Sequence, residues 1–288
     1  MKDGLFSVLV ASYNNGRYLS EAIDSVIAQT YQDWEMVIVD DASTDDSVEI
    51  IKRYISQGYK IRLYRQEKNQ GCGATKRRCA ELAEGAVCGF LDPDDALTPD
   101  ALQIMMEAHY QQPEASLISS RFYRCNELLD IKKQTTHQRA LKPDENYLML
   151  RDSAPIVTHF ATFKTAKYRC TSGIDAKFKR AVDQDLYYKM EEVGNLVFID
   201  LPLYKYRIHK GGISLFDNAN KALYWHIVAM VDAGIRRGID VEDVVQNRVE
   251  RILLRKRKKQ QFFRVKICPK QNIYRLILFG ITLIDTDR

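Results

Sequence analysis

Three carboxylates, Asp92, Asp94 and Asp95, fall within four positions at the end of the apolar run 86–91, and Thr98-Pro99 follows them as an N-cap and first helical residue. Oxygen donors at alternate positions of a tight loop suit a hard divalent cation, Mg or Mn, whose charge can neutralise a bound anion. Asp94 is the first candidate ligand and Asp95 the second. The same acids also fit a turn before a helix, where the helix dipole favours negative charge. Their chemistry therefore depends on where the chain places them.

A parallel sheet would place them at its ligand-binding end, because open α/β sheets bind ligands beyond the carboxyl ends of their strands. Residues 5–11 are almost continuously apolar, as buried parallel strands are, and end in the turn Ser12-Tyr13-Asn14-Asn15-Gly16. Helical spacing of Leu19, Ala22, Ile23, Val26 and Ile27 predicts a helix over 17–29. A second strand, 34–39, runs into Asp40-Asp41-Ala42-Ser43-Thr44-Asp45, where Ser43 or Thr44 can cap a helix carrying Val48, Ile51, Tyr54 and Ile55. Strand 60–65, helix 74–83 with Gly85 as its stop, and strand 86–91 complete four alternations. Right-handed crossovers wind such a pattern into a doubly wound, mostly parallel sheet flanked by helices. Farther on the pattern loosens into strands at 115–123 and 196–200, a short helix at 144–151, an apolar segment of either type at 156–163, a helix over 181–193 and a separate stretch 203–209. Two long helical patterns, 219–237 and 241–263, follow.

A chain of 288 residues with 45% hydrophobic and 28% charged residues has material for a substantial core, which excludes a disordered or membrane-embedded class. Six cysteines without a CxxC pair signal neither a zinc site nor a redox motif and suit a reducing cytosol. The amino terminus lacks an apolar signal core, and the run 273–284, interrupted by Arg275, is too short to span a bilayer. The net charge of +5 is uneven, with Arg251, Arg255, Lys256, Arg257, Lys258, Lys259, Arg264 and Lys266 crowded near the end. With its interleaved apolar residues, the stretch 248–266 fits either an amphipathic helix on an anionic membrane surface or a solvated helix face. No nucleic-acid-binding motif accompanies it.

Four motifs in chain order carry a family resemblance. Val10-Ala11-Ser12-Tyr13-Asn14, Val37-Ile38-Val39-Asp40-Asp41-Ala42-Ser43-Thr44-Asp45, Asn69-x-Gly71 and Phe90-Leu91-Asp92-Pro93-Asp94-Asp95 resemble the signature of glycosyltransferase family 2, with its GT-A fold. The resemblance implies a nucleotide-sugar donor, a Mg or Mn ion at the DXD motif, and inversion at the anomeric carbon by direct displacement. By position it assigns Ala11, Ser12 and Tyr13 to the nucleobase pocket and Asp41 to a uracil contact, with Asp40 supporting that loop. Lys76 keeps a positive charge near the donor, Asp92 meets the ribose and Asp94 the metal. The family's Ala-Arg-Asn triplet reads Thr75-Lys76-Arg77, and the departure at Arg77 leaves the donor sugar open. Asp183, in Val182-Asp183-Gln184-Asp185, matches the general base of the family's Glu-Asp pair with Val182 replacing the glutamate, while Asp185 reads as a dipole or salt-bridge residue. Tyr206-Arg207-Ile208-His209 resembles the family's Tyr-Arg-x-His segment, so Arg207 and Lys210 would close over the pyrophosphate and His209 would reach the metal. His109, His137, His159 and His226 read as surface or packed residues.

The expected architecture is α/β: a GT-A domain over 1–215, divided into a nucleotide-binding half 1–105 and an acceptor half 106–215, with a helical, basic extension over 216–288. The expected activity moves a sugar from a nucleotide-sugar, UDP favoured, to a saccharide or lipid-linked acceptor in bacterial surface polysaccharide synthesis. The expected place is the cytoplasm, with peripheral contact at the inner face of the cell membrane, and the oligomeric state is left open. A catalytically silent nucleotide-sugar-binding protein is the alternative, supported by Val182 and Arg77. An NAD-dependent oxidoreductase would need GxGxxG where Ser12-Tyr13-Asn14-Asn15-Gly16 stands.

Overall fold

The computed structural model describes residues 2–136, 138–142, 144–150, 157, 159–209, 219–255, 263–268, 273–278 and 281–284. The first half runs β1 (Lys2–Ser12), α1 (Gly16–Ile27), β2 (Trp34–Asp40), α2 (Ser47–Ser56), β3 (Ile61–Arg65), α3 (Cys72–Leu82), β4 (Gly85–Phe90), β5 (Ala96–Leu97) and α4 (Ala101–Gln111). The second half runs β6 (Ala115–Cys125), β7 (Ile131–Gln134), β8 (Ala161–Lys164), α5 (Thr165–Arg169), α6 (Val182–Glu191), β9 (Asn195–Arg207), α7 (Ala219–Arg237), α8 (Glu242–Arg255), β10 (Phe263–Cys268), β11 (Ile273–Leu278) and β12 (Ile281–Ile284).

Strands β3, β2, β1 and β4 are parallel neighbours in that order, as the βα alternation requires. Their near-continuous apolar sequences follow from burial on both faces. Phe6, Val8 and Val10 pack toward the helices α1, α2 and α4, while Leu9, Val37 and Val39 pack toward α3 and α6. Beyond β4 the sheet continues through antiparallel β8 to β6, then to β9, parallel to β6, and ends at β5. The register of β9 against β6 shifts between Ile199 and Pro202. Such an irregularity bends a strand, and past it Tyr204 and Lys205 pair with Leu97 and Ala96. Helix α7 lays Val228, Met230 and Val231 in the same apolar cluster as Leu186 and Met190 of α6.

Several local expectations give way to longer-range contacts. Helix α4 starts at Ala101 with Asp100 as its N-cap, not at Thr98-Pro99, because Ala96-Leu97 is held as a strand and the Thr98 amide donates to Leu203 O at 3.1 Å. Helix α2 starts after Asp46, since Ser43 and Thr44 bond the β1–α1 loop instead of capping it. Gly85 opens β4 rather than ending α3. Among the described residues, 144–150 form turns and no helix, with Tyr147, Leu148 and Leu150 buried. The stretches 196–200 and 203–209 are largely one strand, β9, and 156–163 contributes to β8. Helix α8 is described to Arg255, the expected helix over 256–262 lies outside the described residues, and 263–268 form β10, where Phe263, Val265 and Ile267 alternate with Arg264 and Lys266 at a strand period. His137, residues 210–218 with Lys210, and the side chains of 251–288, which include most of the basic stretch, lie outside the described residues. No described helix is long and apolar enough to cross a membrane.

Candidate active site

The loops at the carboxyl ends of β1, β2 and β4 form one wall of a cleft of about 1020 Å³. Reciprocal hydrogen bonds fix the first two: Asn14 N donates to Ser43 Oγ at 2.9 Å, and Thr44 N donates to Asn14 Oδ1 at 2.8 Å. Asp40, expected among the donor-binding residues, is fully buried behind the cleft wall and accepts from Ser43 N at 3.0 Å. Asp41 lines the cleft, but its carboxylate already accepts from Gln66 Nε2, Gln70 N and Gly71 N at 2.7–2.8 Å. It holds the 66–71 loop, whose Gly71 sits at φ +89°, a conformation side chains disfavour. Ala11, Ser12 and Tyr13 line the same region, and Ser12 Oγ is buried without a hydrogen-bond partner among the described residues.

Helix α3 brings Lys76 under the acidic loop. Its ammonium donates to Asp92 Oδ1 at 2.9 Å and lies over the Phe90 ring at 5.1 Å. Burial opposes the charge on both groups, yet their mutual attraction prevails, so Lys76 is raised above the ordinary lysine range and Asp92 lowered below the carboxylate range. Asp95 behaves differently. It is 1% exposed, accepts from Tyr204 Oη and Arg207 N, both at 2.7 Å, and is pushed well above the usual carboxylate range by burial and by Asp94 and Asp92. Its two oxygens are thus engaged inside the protein, which corrects its expected place as a metal ligand.

Asp94 Oδ2 lies 2.8 Å from His209 Nε2, and the imidazole packs beside Tyr18. Among the described residues no three His, Cys, Asp or Glu side chains form a ready cage. A carboxylate oxygen and an imidazole nitrogen facing each other nevertheless fit Mg or Mn, which keep positions for substrate phosphate and water. Arg207, expected at the pyrophosphate, is corrected: its side chain is 1% exposed, its Nε donates to Asp94 O at 2.5 Å, and its two terminal nitrogens donate to Glu127 O and the Glu21 carboxylate. The buried guanidinium fastens the acidic loop to α1 and to the β6–β7 turn.

The opposite wall belongs to α6. Ala181, at φ +52°, turns the chain into the helix, and Asp183 in the first turn lines the cleft beside Val182 and Tyr187. Asp185 points away, accepting from Asp175 N and from Lys189 Nζ, both at 2.8 Å, a buried ion pair as its spacing allowed. Arg77 does not reach the cleft. It bonds Glu81 and the Ile174 carbonyl, so its departure from the family triplet does not touch the donor wall and removes one support for a silent protein. Conversely, His159, stacked on Tyr206 at 4.9 Å, lines the cleft, as do Lys179 and Arg180; no local sequence signal marked these three. Gly73, at the start of α3, donates to Phe178 O at 2.9 Å, and a Cβ there would stand 2.5 Å from that oxygen.

The parallel strand-end loops, the acidic turn and the facing helix define a GT-A protein. The model of glycosyl transferase family 2 matches residues 7–172, more than half of the chain, and the chain belongs to that family. It is 29% identical over 211 residues to a chondroitin synthase of Escherichia coli, covering 73% of this chain and 30% of that protein. It is 36% identical over 103 residues to a putative teichuronic acid biosynthesis glycosyltransferase, TuaG, of Bacillus subtilis, covering 36% of this chain and 41% of that one. The chain thus spans less than half the length of these relatives. Its fold is shared with S. aureus TarS 1-349 in complex with UDP-GlcNAc, at TM-score 0.68, 18% identity, 86% of this chain and 72% of that one. It is also shared with the mannosyltransferase PcManGT of Pyrobaculum calidifontis in complex with GDP-Man and Mn2+, at TM-score 0.58, 17% identity, 88% of this chain and 76% of that one.

Proposed function

We propose that this chain catalyses metal-dependent, inverting transfer of a sugar from a nucleotide-sugar, with UDP the favoured nucleotide, to a saccharide or lipid-linked acceptor in surface polysaccharide synthesis. The observation that carries the reading is a single cleft that joins Asp92, Asp94 and His209 on one wall to Asp183 on the other. Asp183 takes the proton of the acceptor hydroxyl as its oxygen bonds the anomeric carbon. The bond from that carbon to the diphosphate oxygen breaks, and back-side attack inverts the configuration. Asp94 and His209 would hold Mg or Mn, which when bound would neutralise charge on the leaving diphosphate. Lys76 keeps Asp92 ionised and fixed for the ribose hydroxyls, Arg207 positions the Asp94 loop from behind, and the unpartnered Ser12 hydroxyl is available to the nucleobase.

The glycan-assembly setting is supported by the similarity to the chondroitin synthase and to the teichuronic acid glycosyltransferase TuaG, and the cation by the Mn2+ bound to the mannosyltransferase of the same fold. Peripheral membrane contact through the basic residues after Arg248 belongs to the same proposal. A thermal-shift panel of UDP-, GDP- and dTDP-sugars with and without Mn tests the central claim. Stabilisation by a UDP-sugar only when metal is present is the expected result. No stabilisation by any member overturns the reading, and stabilisation without turnover transfers it to the silent binder.

A further inference from the structure

The segment leading into α6 carries positive charge that sugar transfer, as outlined above, does not use. Lys179 and Arg180 both line the cleft, just ahead of Asp183 in the chain. Arg180 has an interaction of its own, and the cleft-lining cations of other segments face carboxylates: Arg17 meets Glu127 and Lys76 meets Asp92, both at 2.9 Å, Arg207 meets Glu21, and His209 meets Asp94 at 2.8 Å. Lys179 is exposed, and no carboxylate among the described residues lies within ion-pair distance of it.

This lysine is not on a loose surface turn. Lys177 reaches Asp232 of α7 at 2.6 Å, Phe178 packs on Trp225, and the Phe178 carbonyl accepts from Gly73 N. Asp175 N donates to the buried Asp185. Successive side chains therefore go to α7, to the core and to the cleft, and the backbone that presents Lys179 is held on both sides. We propose that Lys179, with Arg180 beside it, forms a subsite for an anionic group, a carboxylate or a phosphate, on the acceptor. The subsite lies on the wall of the candidate base, where an acceptor hydroxyl must approach, whereas the donor diphosphate is met across the cleft by the Asp94–His209 pair. A cleft wall concentrates the field of an uncompensated ammonium more than open surface does.

The proposal rests on the glycosyl-transfer reading. Its test uses three acceptors: an oligosaccharide ending in a hexuronic acid, the carboxyl-reduced neutral form of the same oligosaccharide, and a glycerol-phosphate oligomer. Transfer kinetics are compared for the wild type, Lys179→Ala and Lys179→Arg, with donor hydrolysis measured in the absence of acceptor. A charge-assisted hydrogen bond predicts that one charged acceptor exceeds the neutral one about tenfold in kcat/KM. Lys179→Ala should erase that preference by raising acceptor KM while the donor KM for hydrolysis stays unmoved, and Lys179→Arg should restore most of it. Whichever charged acceptor benefits distinguishes carboxylate from phosphate. Equal use of charged and neutral acceptors, transfer to neither charged acceptor by an enzyme that hydrolyses its donor, or a Lys179→Ala defect in the donor KM instead, overturns the subsite. A wild type that neither binds nor hydrolyses any nucleotide-sugar with metal overturns the transferase reading itself.

Discussion

Asp94 Oδ2 and His209 Nε2 stand 2.8 Å apart although 115 residues separate them in the chain. The short strand β5 explains the meeting: by pairing Ala96 and Leu97 with Lys205 and Tyr204, it lays the end of β9 alongside the acidic loop. Asp94→Asn should lower donor hydrolysis and transfer about 100-fold or more, while His209→Ala should raise the Mn concentration needed for half-maximal activity about 10- to 100-fold. Metal titrations of both rates, alongside an unchanged circular dichroism spectrum, check this. Full activity of Asp94→Asn would remove the metal assignment.

Asp183→Asn keeps the size of the side chain and removes its basicity. Transfer should fall by about two to four orders of magnitude, with affinity for the nucleotide-sugar retained. Calorimetric titration of donor beside the transfer assay separates the two quantities, and loss of both together would point to a structural role.

Arg207→Lys retains one charge but cannot reach Asp94 O, Glu127 O and Glu21 at once. The guanidinium is buried but Glu21 is about half exposed, so losing these hydrogen bonds should cost about 1–2 kcal/mol of stability. If Arg207 positions the acidic loop, the variant should also require more Mn for half-maximal rate at a temperature where it is fully folded. A lowered melting temperature with an unaltered Mn requirement would limit Arg207 to stability.

Lys76→Met leaves Asp92 half-buried without its cation. The Asp92 carboxyl should then titrate higher, because the burial that opposes its charge is no longer offset. Donor KM should rise about tenfold, as expected for loss of a charged hydrogen-bonding partner at the site. Carbon-detected NMR titration of Asp92 reads the first effect directly, and an unmoved titration would show that Lys76 does not hold it.

Two histidines, His109 buried and His226 half-buried, make the fold sensitive to acid. Burial lowers His109, bonded to Thr162 Oγ1, and His226, bonded to Tyr188 Oη, to about 3. In the unfolded chain both take a proton near pH 6.5, so unfolding binds protons and stability falls as pH drops from there toward 3, by about 1.4 kcal/mol per pH unit for each. Urea unfolding near pH 7.5 and near pH 5 should show the loss, and His109→Leu should remove one histidine's share of it. An equal pH dependence in that variant would exclude His109 as a source.

The parallel half was legible because β and α periods alternate cleanly and because strands buried on both faces spell long apolar runs, as residues 5–11 do. Motifs singled out Asp92, Asp94 and Asp183, and all three line the one cleft. Burial within a motif was not: Tyr-Arg-x-His announces a charge, yet only the packing of α1 and the β6–β7 turn around Arg207 shows that its guanidinium faces inward. Two residues such as Ala96-Leu97 are too few to display a strand period, so the start of α4 was placed two residues early. Lys179, Arg180 and His159 reach the cleft through contacts between distant segments, which no window of sequence contains. The alternation in 263–267 was present but was outweighed by basic residues read as one helix face.

Gly73 has a mechanical consequence for the cleft. The helix that carries Lys76 and the segment that leads to Asp183 meet at this position with only hydrogen between them, the virtual Cβ standing 2.5 Å from Phe178 O, 2.9 Å from Asp175 O and 3.0 Å from Ala176 O. All three are backbone atoms, which cannot rotate aside as a side-chain end would. Gly73 therefore acts as a gauge of zero thickness: the width of the cleft is set by a side chain that is not there, and one added methyl group would wedge the two walls apart.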